Sequence, residues 1–540
     1  MPKRIFWNDF SGGKNNVSRD HLISEKQSPS LRNVRFTKYG ALSKKWGSVI
    51  TRAIDSSTGG LLTLFSYRLT GMAAEAMLAV TNTGSPIEIL KSTAPATADS
   101  FSSAFNITGE SQTTEKRPIN FLIFKDLVYA FAHFMNTWSY DNSSGTEIAA
   151  SGIVFPRSRY ACVWKDRIFC AYIYDGSADR FSRVKWSDFN AVTFTSTNFQ
   201  DFYADDGNVV TGLFPFGNEL IIWKGPDTGS EGYSKSRMFT LTGETFDAQN
   251  PTYSYYEIIM PPGVGIWPGS SYAIYEGKLI FLTNDGWYQY SGGGVPPVNI
   301  SETIRGDYEK GGFLFSQLSD LDSNPVAVVF EGRYHCAVRC SSLPGSDSGK
   351  NQYVFTLDGD SWLVDCVSSD ADDFTVADDG PMSFTVWGSD LYSSTLRSLT
   401  SGRPYTRIMD AEPSSNVFSE NPNEATVDHG ATLYVNSFYR TKEFVFPGEV
   451  TFVRCWLHLR RQTSGTLTFR VNTDQRGTVS NSVDMTAGDS GTTENSSSLI
   501  LRKEVNIGRP GRTIQFEFWD ANNNDFEIYG IELEYEEGQR

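Results

Sequence analysis

The chain is poor in the residues that most often carry chemistry. It has 5 histidines and 6 cysteines in 540 residues, and His21, His133, His335, His429 and His458 stand apart, with no spacing that would build a metal site or a catalytic pair. No H-E-x-x-H, G-x-S-x-G or C-x-x-C occurs, and the GSDSGKN stretch from Gly345 departs from a phosphate-binding loop in both its spacing and its last residue. No run of 18 apolar residues is present, so no helical membrane span is expected, and the start MPKRIFWNDFSGG lacks the apolar stretch of a secretory signal. Helical periodicity is scarce. Its best candidate, GMAAEAMLAV from Gly71 to Val80, reads as easily as the end of one strand and the start of another. Positive charge is short as well: 47 Lys and Arg against 63 Asp and Glu give a net charge of −16 and a pI near 4.9. Such a surface does not attract phosphate backbones in general, which excludes broad nucleic-acid wrapping but is compatible with a strand passing by without sticking.

The few cysteines do not form a disulfide framework. Cys162 and Cys170 flank the Lys165-Asp166-Arg167 turn almost symmetrically and could face each other across a hairpin, while Cys336 and Cys340 lie too far apart along one strand face to bridge; all six cysteines read best as small buried apolar residues. A metal site from Cys336, Cys340 and His335 is disfavoured because His335 points to the other strand face from Cys336. Oxygen-rich clusters at Asp370, Asp372, Asp373, Asp378 and Asp379, at Asp201, Asp205 and Asp206, and from Asp520 to Glu527 could each hold Ca²⁺. None matches an EF-hand loop, and Asp and Asn are also the usual turn formers. The expectation is no metal, no cofactor and no catalytic residue, hence no enzyme.

What the chain does have is aromatic and apolar residues, 14% and 39% of it, with 47 glycines, arranged in a repeat. An apolar strand, a two-residue polar turn and a second apolar strand recur from residues 61, 119, 159, 212, 271, 327 and 384. The clearest copies are RYACVWKDRIFCAYIYDG, GLFPFGNELIIWKG, SYAIYEGKLIFLTNDGWYQYSGG and AVVFEGRYHCAVRC. Turns such as Glu276-Gly277 and Glu331-Gly332 are hairpin signals. Continuous apolar runs such as Leu220 to Trp223 suit strands covered on both faces. A four-stranded unit cannot bury both faces alone, whereas a ring of them can, so residues 56–410 are expected to form a β-propeller of six to eight blades, seven favoured.

Around it, residues 1–55 read as an extended basic arm (Lys3, Arg4, Lys14, Arg19, Lys26, Arg32, Arg35, Lys38, Lys44, Lys45, Arg52). The arm either closes the ring as a strand of the last blade or docks on an acidic partner. Residues 411–427 read as a linker. From 428 to 540 longer, strictly alternating strands (Phe516, Phe518; Ile528, Ile531, Leu533, Tyr535) predict a β-sandwich, with a Ser-, Thr- and Asn-rich mobile loop at 478–498. The fold class is therefore all-β, a β-propeller with a C-terminal β-sandwich domain.

The leader carries Phe10-x-Gly12-Gly13, Asn33-Val34 and Gly40-x-Leu42 before Lys44-Lys45-Trp46-Gly47, followed by Lys165-Asp166-Arg167-Ile168-Phe169, Trp186-Ser187-Asp188 and Asn284 to Tyr288. In these pieces, spread over most of the chain, it resembles the tail nozzle (tail tubular protein B) family of short-tailed bacteriophages. That resemblance implies a structural virion protein, made in the host cytoplasm and placed in the virion tail as a homo-oligomeric ring of six copies. Such a ring would dock on a tail adaptor or portal-associated protein, near tail fibres, and pass DNA during ejection without sequence-specific binding. The alternative is a glycan-binding tail adhesin using aromatic-lined loops, or a polysaccharide depolymerase using a carboxylate pair.

Overall fold

The computed structural model describes the chain except residues 1, 46–48, 54–60, 82–85, 95–100, 108–118, 149–154, 205, 227–235, 245–251, 263, 267–270, 306–324, 339–352, 367–382, 388–389, 395–404, 410–426, 429–432, 435–436, 463–464, 475–476, 487–498, 521–524 and 539–540. The linker 411–427, except Val427, and the acidic run Asp370 to Asp379 therefore lie outside the described residues.

Seven four-stranded antiparallel sheets make the propeller. Six are built from consecutive strands, beginning at Leu61–Tyr67, Asn120–Phe124, Arg157–Trp164, Val209–Phe216, Ala273–Tyr275 and Val326–Phe330. The seventh joins Ser383–Trp387, Asp390–Ser394 and Tyr405–Met409 to Val49–Ala53, a strand from before the first blade. Blade seven then meets blade one: the Leu64 and Ser66 amides donate to the Ser383 and Thr385 hydroxyls at 3.1 and 3.0 Å. The ring thus closes by sharing one sheet between the two ends of the propeller segment, which spends four backbone-paired residues on fixing both.

The expected hairpins explain the local turns. Both central residues have positive φ at Lys125-Asp126, Lys165-Asp166, Glu276-Gly277 and Glu331-Gly332, the geometry whose twist matches that of the flanking strands. The GMAAEAMLAV segment is a turn followed by strand Ala76–Thr81, the second strand of blade one. Apolar side chains fill the gaps between blades. Separate buried clusters join blades one and two, two and three, three and four, four and five, five and six, and six and seven. Blades two to six are therefore covered on both faces, which is why central strands such as Glu219–Gly225 read as unbroken apolar runs. Cys162 and Cys170 do not face each other. Cys170 pairs with Ala161 and Cys162 with Phe169, and the two thiols belong to clusters on opposite faces of blade three, because neighbouring register positions alternate sides.

The second body is a ten-stranded sheet folded over one large core that includes Phe469, Phe516 and Phe518, all fully buried. Strand Ile500–Asp520, 21 residues long, pairs along its first half with Phe444–Arg460 and along its second with Ser437–Arg440 and Thr466–Thr473, and so passes from one layer to the other. Gly477–Asp484, expected within a mobile loop at 478–498, is a strand paired residue for residue with Thr466–Thr473, since Val479 and Val483 continue the alternation toward the core.

Residues 1–55 are not an extended arm. Lys3–Trp7 and Leu42–Lys44 pair with Glu527–Glu537, Ser30–Arg32 pairs with Ser437–Arg440, and Val34–Phe36 forms a hairpin with Leu42–Lys44. The leader therefore completes the sandwich before Val49–Ala53 enters the propeller. Each leader-motif residue has a packing reason. Phe10 is buried edge-on to Tyr439 at 5.7 Å. Gly13 has φ +69°, and a Cβ there would stand 2.8 Å from the Trp362 backbone nitrogen. Asn33, buried at φ +51°, donates its amide to Val364 O and accepts the Ser437 hydroxyl and the Lys45 amide. The basic side chains find acidic partners within the same chain. Arg35 donates both terminal nitrogens to Asp365 at 2.8 and 2.7 Å, Lys45 stands 3.5 Å from the same carboxylate, and Lys44 meets Asp520 at 2.7 Å with both side chains fully buried. Asp365 lies on the outer strand of blade six, so these pairs tie the leader and sandwich to the ring.

Candidate binding site at the hairpin face

Among the described residues, the first strands of six of the seven neighbouring blade pairs pack together, so the hairpins joining first to second strands gather on one face of the ring. The register aligns them. The residue before each turn is Tyr67, Phe124, Trp164, Phe216, Tyr275, Phe330 or Trp387, aromatic in all seven blades, paired with Ala76, Leu127, Arg167, Glu219, Lys278, Arg333 and Asp390. Several of these aromatics reach forward to the next blade: Tyr67 OH donates to Asn142 Oδ1 at 2.8 Å, Trp164 Nε1 to Gly217 O at 3.4 Å, and Tyr275 OH accepts the Gly359 amide at 2.7 Å. Aligning the repeats on their turns (IFKD, VWKD, PFGN, IYEG, VFEG, VWGS) would have exposed this column; reading each unit alone did not.

On this face one carboxylate departs from the pattern of ion pairs. Glu219, the first residue after the blade-four turn, accepts Tyr290 OH at 2.7 Å, Tyr256 OH at 3.2 Å and the Gly293 amide at 2.8 Å. Gly292, Gly293 and Gly294 all have positive φ, and the Gly294 amide donates to Tyr290 OH at 3.0 Å. A Cβ on Gly294 would stand 2.9 Å from the Tyr256 ring, so the bare backbone is what lets the loop close over that tyrosine. Phe216 lies 5.8 Å from Tyr290, ring to ring, and Tyr256 and Val295 remain exposed at the rim, while the neighbouring Tyr255 points to the other face against Phe202 and Phe239. Burial, then the Glu219 carboxylate, pushes the Tyr290 phenol well above its usual range, and the same causes raise Tyr256. Both therefore stay protonated as donors through neutral pH. The result is a cluster between blades four and five in which one carboxylate, two phenols and the Gly293 and Gly294 amides are bonded to one another, with exposed aromatic surface beside it.

The other residues singled out in the sequence are placed elsewhere. His335 is buried with Nδ1 3.0 Å from Thr356 Oγ1, on the face of its strand opposite Cys336, and Cys340 lies outside the described residues. Asp201 pairs with Arg183 and Asp206 with Lys224, Asp205 lies outside the described residues, and Asp520 is held by Lys44. Glu527 stands 3.5 Å from Arg460. His133 contacts Asp179 at 3.0 Å, His458 lies 3.6 Å from Glu532 and His21 3.8 Å from Glu443. His429 lies outside the described residues. Among the described residues no three His, Cys, Asp or Glu side chains form a metal-sized group, and no helix is long and apolar enough to cross a membrane.

No protein-family model matches the chain, and no curated protein matches it. Solved structures similar to it include an exo-β-1,3-galactanase from Phanerochaete chrysosporium with galactose (13% identity, 77% of this chain and 100% of that one, TM-score 0.26). A Trypanosoma rangeli sialidase in complex with sialic acid is also similar (10% identity, 98% and 97%, TM-score 0.34), as is YCF48 bound to D1 peptide (10% identity, 71% and 99%, TM-score 0.35). Two of these are enzymes, and the expectation that the chain is no enzyme is corrected. It rested on an empty search for linear motifs, and glycoside hydrolysis needs two carboxylates brought together from separate strands, which leave no such motif.

Proposed function

We propose that the chain is a glycan-binding tail protein whose saccharide site is the cluster built by Phe216, Glu219, Tyr256, Tyr290 and the Gly292 to Gly294 backbone. The observation that carries this reading is the combination at Glu219 of two phenol donors and a backbone amide with exposed aromatic surface beside it. Aromatic faces cover the C–H side of a sugar ring while the lone pair that Glu219 keeps after its three internal bonds accepts from a ring hydroxyl. The names of two similar structures, a galactanase and a sialidase, supply the ligand class, and the leader motif supplies the tail context. A panel of bacterial surface polysaccharides tested by calorimetry against the full chain decides it. One or more should bind, and Glu219→Gln and Tyr256→Ala should each weaken that binding roughly tenfold or more with the unfolding free energy kept within about 1 kcal/mol of wild type. Failure of every polysaccharide to bind would overturn it, and cleavage of a bound polysaccharide that Glu219→Gln abolishes would make the protein a depolymerase.

A second reading, a tail nozzle ring that conducts DNA, is favoured by the leader. The residues that carry the resemblance (Phe10, Gly13, Asn33, Gly40, Leu42) are the ones that seat the leader in the sandwich and against blade six, so the likeness concerns how the two bodies are joined. Electron microscopy of the chain with a tail adaptor should then show closed rings; single particles at all concentrations would exclude it.

A further inference from the structure

Edge strands that stay monomeric are normally protected by charge, proline, a bulge or shortness. Among the described residues, strand Lys3–Trp7 pairs only with Glu527–Glu537, and it carries Lys3 and Arg4, both exposed. Strand Gly477–Asp484 is different. It pairs with Thr466–Thr473 along all eight residues with no register shift, and no described strand pairs with its other side. Up to its last residue it has no charge and no proline. It is long, regular and unguarded.

Its sequence has a second property. Val479-Ser480-Asn481-Ser482-Val483 reads the same in both directions. An antiparallel copy of the same strand, centred on Asn481, places Asn481 opposite Asn481, Ser480 opposite Ser482, Val479 opposite Val483 and Thr478 opposite Asp484. Ser480 with Ser482 is a hydroxyl pair, Val479 with Val483 a β-branched pair and Asn481 with Asn481 an amide pair, and the Thr478 hydroxyl can donate to the Asp484 carboxylate. The faces also agree. Val479, Asn481 and Val483 lie on the core side, where Val479 packs against the sandwich core and Val483 is buried, while Thr478, Ser480, Ser482 and Asp484 are exposed. A two-fold partner would therefore extend both faces of the sheet without inverting either. Asn481 Nδ2 is closed off from solvent and has no hydrogen-bond partner among the described residues. Turned toward the strand edge, it would find the amide oxygen of its own copy. The neighbouring contacts leave the edge open, with Thr478 Oγ1 donating back to Asn472 Oδ1 at 2.6 Å and Arg509 capping only Gly477 O at 3.0 Å.

We infer that two copies of this chain pair through strand Gly477–Asp484, antiparallel about a two-fold axis at Asn481, to make one continuous sheet across both sandwiches. The occupant is a second copy because the palindrome gains nothing from any other strand. The contact is isologous, so it closes at two copies and cannot run on into a filament. It is independent of the saccharide reading.

Sedimentation of the full chain over a wide concentration range should show a monomer–dimer equilibrium. Ser480→Lys with Ser482→Lys sets two pairs of lysines opposite each other and should weaken the dimer roughly tenfold or more, and Ser480→Glu with Ser482→Glu should do the same. Mixing the two double variants should restore a dimer, which a merely misfolded variant cannot do. Both positions are exposed, so the fold is expected to tolerate the changes. Asn481→Cys should cross-link two copies under mild oxidation in a background where the natural cysteines give no cross-link. A chain that stays monomeric at every concentration overturns the inference. So does an oligomer that neither double variant weakens, or a pair of weakened variants that mixing does not rescue.

Discussion

Removing the Asp365 carboxylate should loosen the joint between leader, sandwich and ring. Asp365 is 3% exposed and Arg35 10% at the side chain, so bulk water screens their contact little. Two routes give the same size for the loss. Asp365→Ala deletes two charge-assisted hydrogen bonds, at 2.8 and 2.7 Å, each worth about 1.5–3 kcal/mol. Breaking a buried pair and leaving its cation behind costs about 3–5 kcal/mol. Lys45, 3.5 Å from the same carboxylate, adds a second buried cation to the penalty and places the expected loss toward the upper end. Urea unfolding followed by tryptophan fluorescence should show a lower midpoint, and hydrogen exchange should show the amides of Ser30–Arg32, Val34–Phe36 and Leu42–Lys44 losing protection before those of blades two to five. Arg35→Met combined with Asp365→Leu should recover part of the stability, since it removes the Arg35 charge together with the carboxylate while Lys45 still loses its contact. The exposed pair Lys3 and Glu537 serves as the control, and its removal should leave the midpoint unchanged. An Asp365→Ala protein with wild-type midpoint and wild-type exchange in the leader would refute the reasoning.

Gly13→Ala should destabilise the same joint by about 1–3 kcal/mol, because the new Cβ meets the Trp362 backbone at 2.8 Å and φ is +69°; a calorimetric scan matching wild type would contradict this. Phe469→Ala should cost about 3–5 kcal/mol by opening a cavity in the sandwich core, measured by the urea midpoint. Burial pushes the Cys336 thiol up to about 12 and also raises Cys170 and Cys455, so these three should resist thiol reagents at pH 8 in the native protein and react once it is unfolded. The Asp141 carboxyl is drawn down to about 2 from 3.8, first by the Ser144 amide and then by the Ser143 hydroxyl and amide. A depressed carboxylate contributes stability that is fully present above its unfolded value and is lost as pH falls through its folded one. The difference between wild type and Asp141→Asn should therefore be constant above about pH 4 and vanish toward pH 2, and an NMR titration of Asp141 with a midpoint near 4 would show the turn bonds to be absent.

The propeller was legible in the linear order because its determinants are local. A blade is two or more hairpins, each specified by a turn pair such as Glu276-Gly277 or Lys165-Asp166, and burial on both faces writes itself as runs such as Leu220 to Trp223. The strand alternation of Phe516 and Phe518 likewise announced the sandwich. Contacts between distant segments were not legible. Nothing near Arg35 says that its carboxylate comes from blade six, and Glu219 looks like one of 63 acidic residues until Tyr256, Tyr290 and Gly293 are brought around it; that the leader closes the ring on the last blade was one of two readings its sequence left open, and Val49–Ala53 does so. Periodicity and turn chemistry act over a few residues and so determined the class of fold. Which leader strand pairs with which late strand depends on loop closures of hundreds of residues, and which carboxylate receives two phenols on the meeting of two neighbouring blades, and those were decided only when the ring and the sandwich were packed.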